Sequence, residues 1–386
     1  MRIALVTIGR FLESKGGAEK VLCNMANEFV KRGHEVGVFC CDKKTGKPAY
    51  ELSENVLLQN VYQASLRMKW LSLCREFCCL SYVDEDRKKI IRAKKNIEIK
   101  SPLLLKAIAK YVPDVIVTFQ MESTRMLDSP EIGNTPIVTM LHGNPSIYFD
   151  SKTFPLYKAS LEKSSFVQVL MPEYIEEAKQ YIDTEIKYIP NVVPQYAECA
   201  ALNAKKIINV ARLCPNQKRQ DLLIKAFSLI KDRYPDWTVE IWGEGEEKYK
   251  KELEHLIEEE KLSGRIVLCG VTDKIKEKML GASIFAFPSA YEGFPLALTE
   301  AMSLGLPSVG FKNCPSVNEL IVNDENGYLV ETLNGFASSL GILMGDVEKR
   351  VRMGRTAKER MREFSPVAIW GRWEQELIRC KGDDNE

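Results

Sequence analysis

At 386 residues the chain exceeds the length at which a single hydrophobic core stops growing, so two domains of ordinary size are expected. Hydrophobic residues at 45% and charged residues at 28% exclude a disordered or membrane-spanning chain, and a net charge of +1 singles out no class of partner. Split at residue 195, the first part has 27 Lys+Arg against 23 Asp+Glu and the remainder 27 against 30, a mild polarity between the halves.

Eleven cysteines occur without paired C-x-x-C units, with Cys40-Cys41 and Cys78-Cys79 adjacent. This suits neither a disulfide framework nor a zinc site and points to a reducing cytosol. The apolar opening from Met1 to Thr7 is too short for a signal-peptide core, and Glu13 and Lys15 soon follow it. No stretch approaches the ~20 apolar residues of a spanning helix.

The run from Ile3 to Thr7 predicts a strand, Gly16-Gly17 a loop, and Val21, Leu22, Met25, Ala26, Phe29 and Val30 a helix ended by Gly33. A second strand from Glu35 to Cys40 completes a β-α-β unit, which implies a parallel sheet with ligands at the carboxyl ends of its strands. Gly16-Gly17 is not the G-x-G-x-x-G fingerprint and no P-loop occurs, so neither an NAD enzyme nor a nucleoside triphosphatase is favoured.

From Leu66 to Leu80, apolar residues at Leu66, Trp70, Leu73, Phe77 and Leu80 keep helical spacing. The wider segment from Leu66 to Lys110 holds twelve Lys+Arg and five Asp+Glu and is the most polarised part of the chain. Basic helical faces are ordinarily just solvated, but the same segment would suit an anionic membrane surface.

Further strands are expected over Val115 to Phe119, Pro136 to Leu141 and Phe166 to Leu170. The second of these delivers His142-Gly143-Asn144-Pro145 at a strand end, where a ligand-facing residue belongs, although a lone histidine is more often structural. Residues 192 to 205, with Pro194 and no clear period, read as a linker. The domains are accordingly placed at 1–195, completed by 366–386, and at 196–365.

The second domain opens with a strand from Ile207 to Val210, followed by Arg212 and Lys218 before a helix containing Leu222, Leu223, Ala226 and Phe227. An arginine fork with a lysine point charge suits a diphosphate, although two neighbouring surface cations are also commonplace. Strands follow over Trp237 to Trp242, ending in Gly243-Glu244-Gly245, and over Arg265 to Gly270, just before Val271. The tail from Pro366 to Cys380 carries Ile369, Trp370, Trp373, Leu377 and Ile378 at helical spacing.

The stretch from Phe287 to Met302 is the most informative. Ile284 to Phe287 reads as a buried strand, Gly293 permits a tight turn, and Pro295 opens a helix of about ten residues that ends before Gly305. The unpaired N–H groups of that helix start, from Leu296 onward, with the helix dipole make an anion site. Glu292 precedes the helix and Glu300 lies within it, with seven residues between them. By themselves these two carboxylates fit solvated surface positions as well as functional ones.

The whole string, from Pro288-Ser289 through Glu292-Gly293-Phe294-Pro295 to Glu300-Ala301-Met302, Gly305 and Pro307, resembles the E-x7-E signature of retaining nucleotide-sugar glycosyltransferases of family 4. The similarity runs from residue 1 to about 378 and is looser between residues 45 and 135. It implies the GT-B fold: α/β, two facing Rossmann-like domains with parallel sheets, a cleft between them, and a C-terminal helix crossing back to the first domain. The first domain would bind the acceptor and the second the donor.

By the same resemblance, Gly16 and Gly17 bring backbone N–H groups to the donor diphosphate and His142 contacts the donor sugar. Arg212 and Lys218 meet the diphosphate, with Arg219 able to share that role because one extra residue separates the pair relative to the family. Gly243 belongs to a G-x-G loop, and the backbone at Val271 recognises the nucleobase. Glu300 receives a ribose diol, while Glu292 with the backbone of Gly293 and Phe294 holds sugar hydroxyls.

The expected activity is metal-independent, retaining transfer of a hexose-type sugar from a nucleoside diphosphate sugar, with UDP as the expected nucleotide, to a glycan or lipid-linked acceptor. No cofactor, metal or nucleic acid is expected. The expected location is the cytoplasm, with the basic 66–110 segment offering attachment to the inner face of the plasma membrane. Two other classes share these features: a nucleotide-sugar-binding subunit without transfer, and an epimerase or phosphorylase of the same fold.

Overall fold

The computed structural model describes residues 1–62 and 84–382. The helix expected over 66–80 and the Cys78-Cys79 pair fall outside the described residues. The chain divides into two compact units, Met1–Pro190 with Ile369–Glu386 and Asn191–Ala368.

The first unit is built on a parallel sheet. In chain order its strands are β1 (Arg2–Thr7), β2 (Glu35–Cys40), β3 (Leu57–Asn60), β4 (Val115–Thr118), β5 (Ile137–Met140), β6 (Phe166–Val169) and β7 (Ile186–Tyr188). They lie in the order β3-β2-β1-β4-β5-β6-β7. The central strands are apolar on both faces, as a sheet covered by helices on both sides requires, and Ile3 to Val6 are fully buried. The helix Gly17–Lys31 seats Val21, Leu22, Met25, Ala26 and Phe29 against this sheet. Gly33, at φ +84°, takes the left-handed turn that ends it and admits β2.

The C-terminal helix Pro366–Gly382 belongs to this unit from Ile369 onward. Its Trp370 packs edge-on to Phe29 at 6.1 Å, and Trp373 lies 6.2 Å from Phe166. Glu374 accepts from Arg32 at 2.8 Å and pairs with His34 at 2.8 Å, and Glu376 meets Lys187 at 2.5 Å. The tryptophans supply the apolar area that holds the helix, and the ion pairs set its register.

The second unit repeats the architecture with β8 (Lys206–Val210), β9 (Thr238–Trp242), β10 (Ile266–Gly270), β11 (Ile284–Phe287), β12 (Ser308–Phe311) and β13 (Gly327–Val330). Their order is β10-β9-β8-β11-β12-β13, all parallel. The linker expected over 192–205 is laid on this unit: Val193 N–H donates to Phe364 at 2.9 Å, Ala200 N–H to Leu304 at 2.8 Å, and Ser303 to the Pro194 carbonyl.

Each sheet has one place where chain order reverses, between β1 and β4 in the first and between β8 and β11 in the second. Loops leaving two such neighbouring strands diverge to opposite faces and open a crevice at the carboxyl edge, the usual ligand position in doubly wound sheets.

Candidate active site

In the second unit, the loops after β8 and β11 are joined by an array of contacts. Gln217 donates its side-chain amide to the Tyr291 carbonyl at 3.3 Å, while its own carbonyl accepts from Ala290 N–H at 2.7 Å. Arg219, held in the left-handed region at φ +48°, donates to the carbonyls of Pro288 and Ser289 at 2.8 and 2.9 Å. Its guanidinium also lies over the Phe311 ring at 4.7 Å. Arg219 is therefore a tether of the β11 loop, and a share in diphosphate binding would require it to leave those carbonyls.

Lys218 forms an ion pair with Glu292 at 2.5 Å, in which Glu292 is 6% exposed. A charge that deep needs its counter-charge, so each residue fixes the other. Beyond Glu292, Ser316 at φ +70° donates its hydroxyl to the carbonyls of Glu292 and Gly293 at 3.2 and 2.6 Å. Phe294 is buried edge-on to Phe364 at 5.7 Å. The turn is thus pinned on three sides before the helix begins.

That helix runs Leu296–Ser303, with Pro295 as the flanking residue at its start and not its first helical residue, and with eight residues instead of about ten. Among the described residues, no side chain caps its N-terminus. Its first N–H groups and the positive end of its dipole therefore remain directed at the crevice. The helix stops where Gly305, at φ +80°, lets Leu306 N–H reach back to Ala301 at 3.0 Å. Glu300 is 8% exposed on this helix and close enough to Tyr196 that burial and the Glu300 charge together push that phenol up to about 12.

Arg212 is exposed on the β8 loop, and its guanidinium has no ion pair or hydrogen bond among the described residues. The β9 loop braces it from behind. Gly243, at φ +145°, passes so close that a Cβ there would lie 1.9 Å from the Ala211 carbonyl oxygen, and one at Gly245 would lie 2.2 Å from that of Leu213. These two glycines are required by loop-on-loop packing. Val271 stands apart from the cluster, on the exit of the edge strand β10 with its side chain 55% exposed.

In the first unit the expected residues occupy separate strand exits. Gly16 precedes, and Gly17 begins, the first helix after β1. The Glu19 carboxylate folds over Gly16, so that a Cβ on Gly16 would meet it at 2.1 Å. An anion bound at this helix start would have to displace that carboxylate. The preceding loop is held by Asp42, just after β2, which accepts from the N–H groups of Phe11 and Leu12 at 2.7 and 2.8 Å. Burial alone would raise Asp42, but N–H groups of Lys44, Phe11 and Leu12 hold it below the usual carboxylate range.

His142 follows β5 and stacks on Phe119 at 5.1 Å. Its Nε2 is buried without a hydrogen-bond partner among the described residues, and burial pushes the imidazole down to about 4. The ring is neutral near pH 7, with one nitrogen available to a hydroxyl group.

The motif reading missed Gln217, Arg219 and Ser316 as the tethers of the β11 loop. It also missed Asp42 and Gln120, although the strand-exit rule would have found them at the ends of β2 and β4. Among the described residues, no three His, Cys, Asp or Glu side chains gather where they could hold a metal ion, and no helix is long and apolar enough to cross a membrane.

Residues 199–360 match the family model described as Glycosyl transferases group 1. An uncharacterized glycosyltransferase of Haemophilus influenzae is 25% identical over 93% of this chain and 96% of its own length. The N-acetylgalactosamine-N,N'-diacetylbacillosaminyl-diphospho-undecaprenol 4-alpha-N-acetylgalactosaminyltransferase of Campylobacter jejuni is 31% identical over 56% of each chain. Among solved structures, S. aureus TarM in complex with Fondaparinux, alpha-GlcNAc-glycerol and UDP superposes with a TM-score of 0.77 at 16% identity, over 97% of this chain and 99% of that one.

The two Rossmann-like units define a GT-B fold. The chain is a glycosyltransferase.

Proposed function

We propose that the protein transfers a hexose-type sugar from a UDP-sugar to a glycan or lipid-linked glycan acceptor, with retention of anomeric configuration and without a metal ion, in polysaccharide or glycoconjugate biosynthesis. The observation that carries this reading is the Lys218–Glu292 pair beside a helix start that is uncapped, and an Arg212 on the neighbouring loop that is unpaired, among the described residues. Breaking the bond between the anomeric carbon and the diphosphate leaves the electron pair on the diphosphate. Preorganised cations and backbone N–H groups stabilise that charge most where it develops.

In this reading Arg212, Lys218 and the N–H groups from Leu296 onward receive the diphosphate. Glu300 accepts from the ribose diol, and Glu292 with Gly293 and Phe294 holds sugar hydroxyls. Gly16 and Gly17 add backbone donors, the neutral His142 binds a sugar hydroxyl, Gly243 lines the donor loop, and the backbone of Val271 meets the base. The acceptor oxygen attacks from the face that the diphosphate leaves, and its proton passes to the departing phosphate. UDP in the TarM structure and the diphospho-undecaprenol in the Campylobacter enzyme's name support this choice of nucleotide and acceptor class.

The test is UDP release from a panel of UDP-sugars, with and without lipid-linked and free glycan acceptors, in buffer containing EDTA. Acceptor-dependent release with an unchanged anomeric configuration in the product, read by NMR, is expected. Binding without release would leave a nucleotide-sugar-binding subunit, and release without a glycosylated product a different reaction on this fold.

We further propose that the helix Glu85–Tyr111, with nine Lys+Arg against three Asp+Glu, contacts anionic membrane from the cytoplasmic side. Each cation near acidic headgroups contributes about 1 kcal/mol. Neutralising Lys88, Lys89, Lys94 and Lys95 should release the protein from phosphatidylglycerol vesicles at low salt, and failure of the wild type to bind them overturns this part.

A further inference from the structure

The amino ends of β5, β6 and β7 lie side by side on the edge of the first sheet opposite the strand exits, and a cavity of about 420 Å³ opens there. Its size lies in the range of small-ligand sites, ~300–1,000 Å³. Reaction ligands of doubly wound sheets bind at the carboxyl edge, so the transfer reading gives this cavity no occupant.

Pro136, Ser165 and Glu185, each one residue before its strand, form one wall. Residues 128–137 continue it, and Arg379 closes it from the last turns of the C-terminal helix. The strand entries are fixed to one another: Ser165 N–H donates to the Ile137 carbonyl and Val167 N–H to the Glu185 carbonyl, both at 2.8 Å. A wall built from sheet entries is preformed for a ligand.

The charged groups of the wall divide into spent and unspent. Asp128 accepts from Lys163 on one oxygen and from the Ser160 hydroxyl on the other, both at 2.8 Å. Burial alone would raise its carboxyl, but those bonds hold it below the usual carboxylate range. Lys187, 11% exposed, lies over the Phe166 ring at 4.8 Å between Glu376 at 2.5 Å and Glu185 at 3.2 Å. Both acids of the wall are thereby neutralised within the protein, and Lys187 belongs to its frame.

Arg379 and Lys163 differ from these. Arg379 is 63% exposed and among the described residues reaches only Glu376, at 3.5 Å, which Lys187 already holds at the shorter distance. Lys163 is 67% exposed and gives one contact, to Asp128. Asn134, Thr135 and Ser165 add side-chain donors and acceptors that make no hydrogen bond among the described residues. No aromatic ring lines the cavity among the described residues, so a nucleobase would find nothing to stack on. Hydroxyl groups joined to an anion match this lining.

We propose that this cavity binds a hexose phosphate, with Arg379 and Lys163 on the phosphate and Asn134, Thr135 and Ser165 on the hydroxyls. The guanidinium fork supplies the strongest of these contacts, and the neutral groups select a sugar over a bare anion. The ligand joins the last turns of the C-terminal helix to the entries of β5 and β6, so it is neither donor nor acceptor and acts by holding that helix to the first sheet.

Glucose 6-phosphate, glucose and inorganic phosphate are each titrated calorimetrically into the full-length protein saturated with UDP. Glucose 6-phosphate should bind at least about tenfold tighter than either of the other two. Arg379→Ala should weaken it about tenfold, and Asn134→Ala combined with Thr135→Val about fivefold, with melting temperatures unchanged in the absence of ligand. In wild type, and not in Arg379→Ala, glucose 6-phosphate should slow amide hydrogen exchange over residues 370–380.

The absence of binding at millimolar glucose 6-phosphate overturns the proposal, as does glucose or phosphate that binds as tightly. Unchanged affinity in Arg379→Ala or in the double variant places the ligand elsewhere and overturns it too. Affinity that UDP abolishes assigns the sugar phosphate to the donor site, with the same result, and unchanged amide exchange refutes the hold on the helix. If UDP itself does not bind, the donor reading fails, and the same titrations without it still judge the cavity.

Discussion

The points of reversal in the two sheets solve the problem of holding a ligand differently. In the second unit the loops after β8 and β11 are joined by an ion pair, Lys218 with Glu292, in addition to the Arg219 bonds to the backbone carbonyls of Pro288 and Ser289. In the first unit the β1 loop is held through backbone groups, by the Asp42 carboxylate, the Gln120 amide and the buried Lys100. Charged contacts between loops stabilise one geometry strongly but make each residue dependent on its partner. Backbone tethers do not depend on which side chains the held loop carries.

This contrast is most exposed at Lys218. Lys218→Ala leaves Glu292 buried beside an absent counter-charge, which costs about 3 kcal/mol. The expected result is a melting temperature lower by roughly 6–12 °C, with transfer reduced more than a hundredfold. The double variant Lys218→Met with Glu292→Gln should recover most of the stability and none of the transfer. Recovery of both would reduce the pair to a structural link.

Arg212→Ala tests the opposite case, an exposed cation that supports no fold contact. Turnover should fall by more than tenfold, at least about 1.4 kcal/mol of barrier, with an unchanged melting temperature. Near-normal turnover removes Arg212 from the diphosphate site. Glu300→Ala should weaken UDP about tenfold by calorimetry, and unchanged affinity would refute its ribose role.

In the first unit, Asp42→Asn should cost about 1–2 kcal/mol, because an amide oxygen accepts the same N–H groups less strongly. The native Asp42 is held below its unfolded value, so its contribution is present above about pH 4 and is lost as pH falls through the lower folded value. Acid melts of wild type and variant should therefore converge below that range.

His142 gives the smallest effect. Its folded value near 4 lies below the unfolded value of about 6.5, so the unfolded state takes up a proton first and stability falls between those pH values. His142→Gln should flatten the melting-temperature curve in that window, and parallel curves would contradict the neutral, buried ring.

Most of the sheet was legible in the sequence because central parallel strands are continuous apolar runs: the expected strand from Ile284 to Phe287 matches β11 residue for residue, as does Glu35 to Cys40 with β2. The two edge strands of the first sheet, Leu57–Asn60 and Ile186–Tyr188, were not, since each is only three or four residues long and mixes polar with apolar side chains. The tail helix announced itself through Trp370 and Trp373 at helical spacing.

The site divides in the same way. Glu292, Glu300, Arg212 and the helix start after Gly293 could be located along the chain because strand, turn and helix signals are local. Local order also determines where a helix presents free N–H groups, whatever surrounds it. The pairing of Lys218 with Glu292, 74 positions apart, and the diversion of Arg219 to the carbonyls of Pro288 and Ser289 depend on which loops the strand order brings side by side. The same is true of Lys163 and Arg379, which share a cavity only because β5, β6 and β7 are neighbours and the tail helix ends beside their entries. Which charges exist and which strands carry them is written along the chain, but which charges meet is decided by the tertiary fold, since burial strengthens only the contacts that the fold brings together.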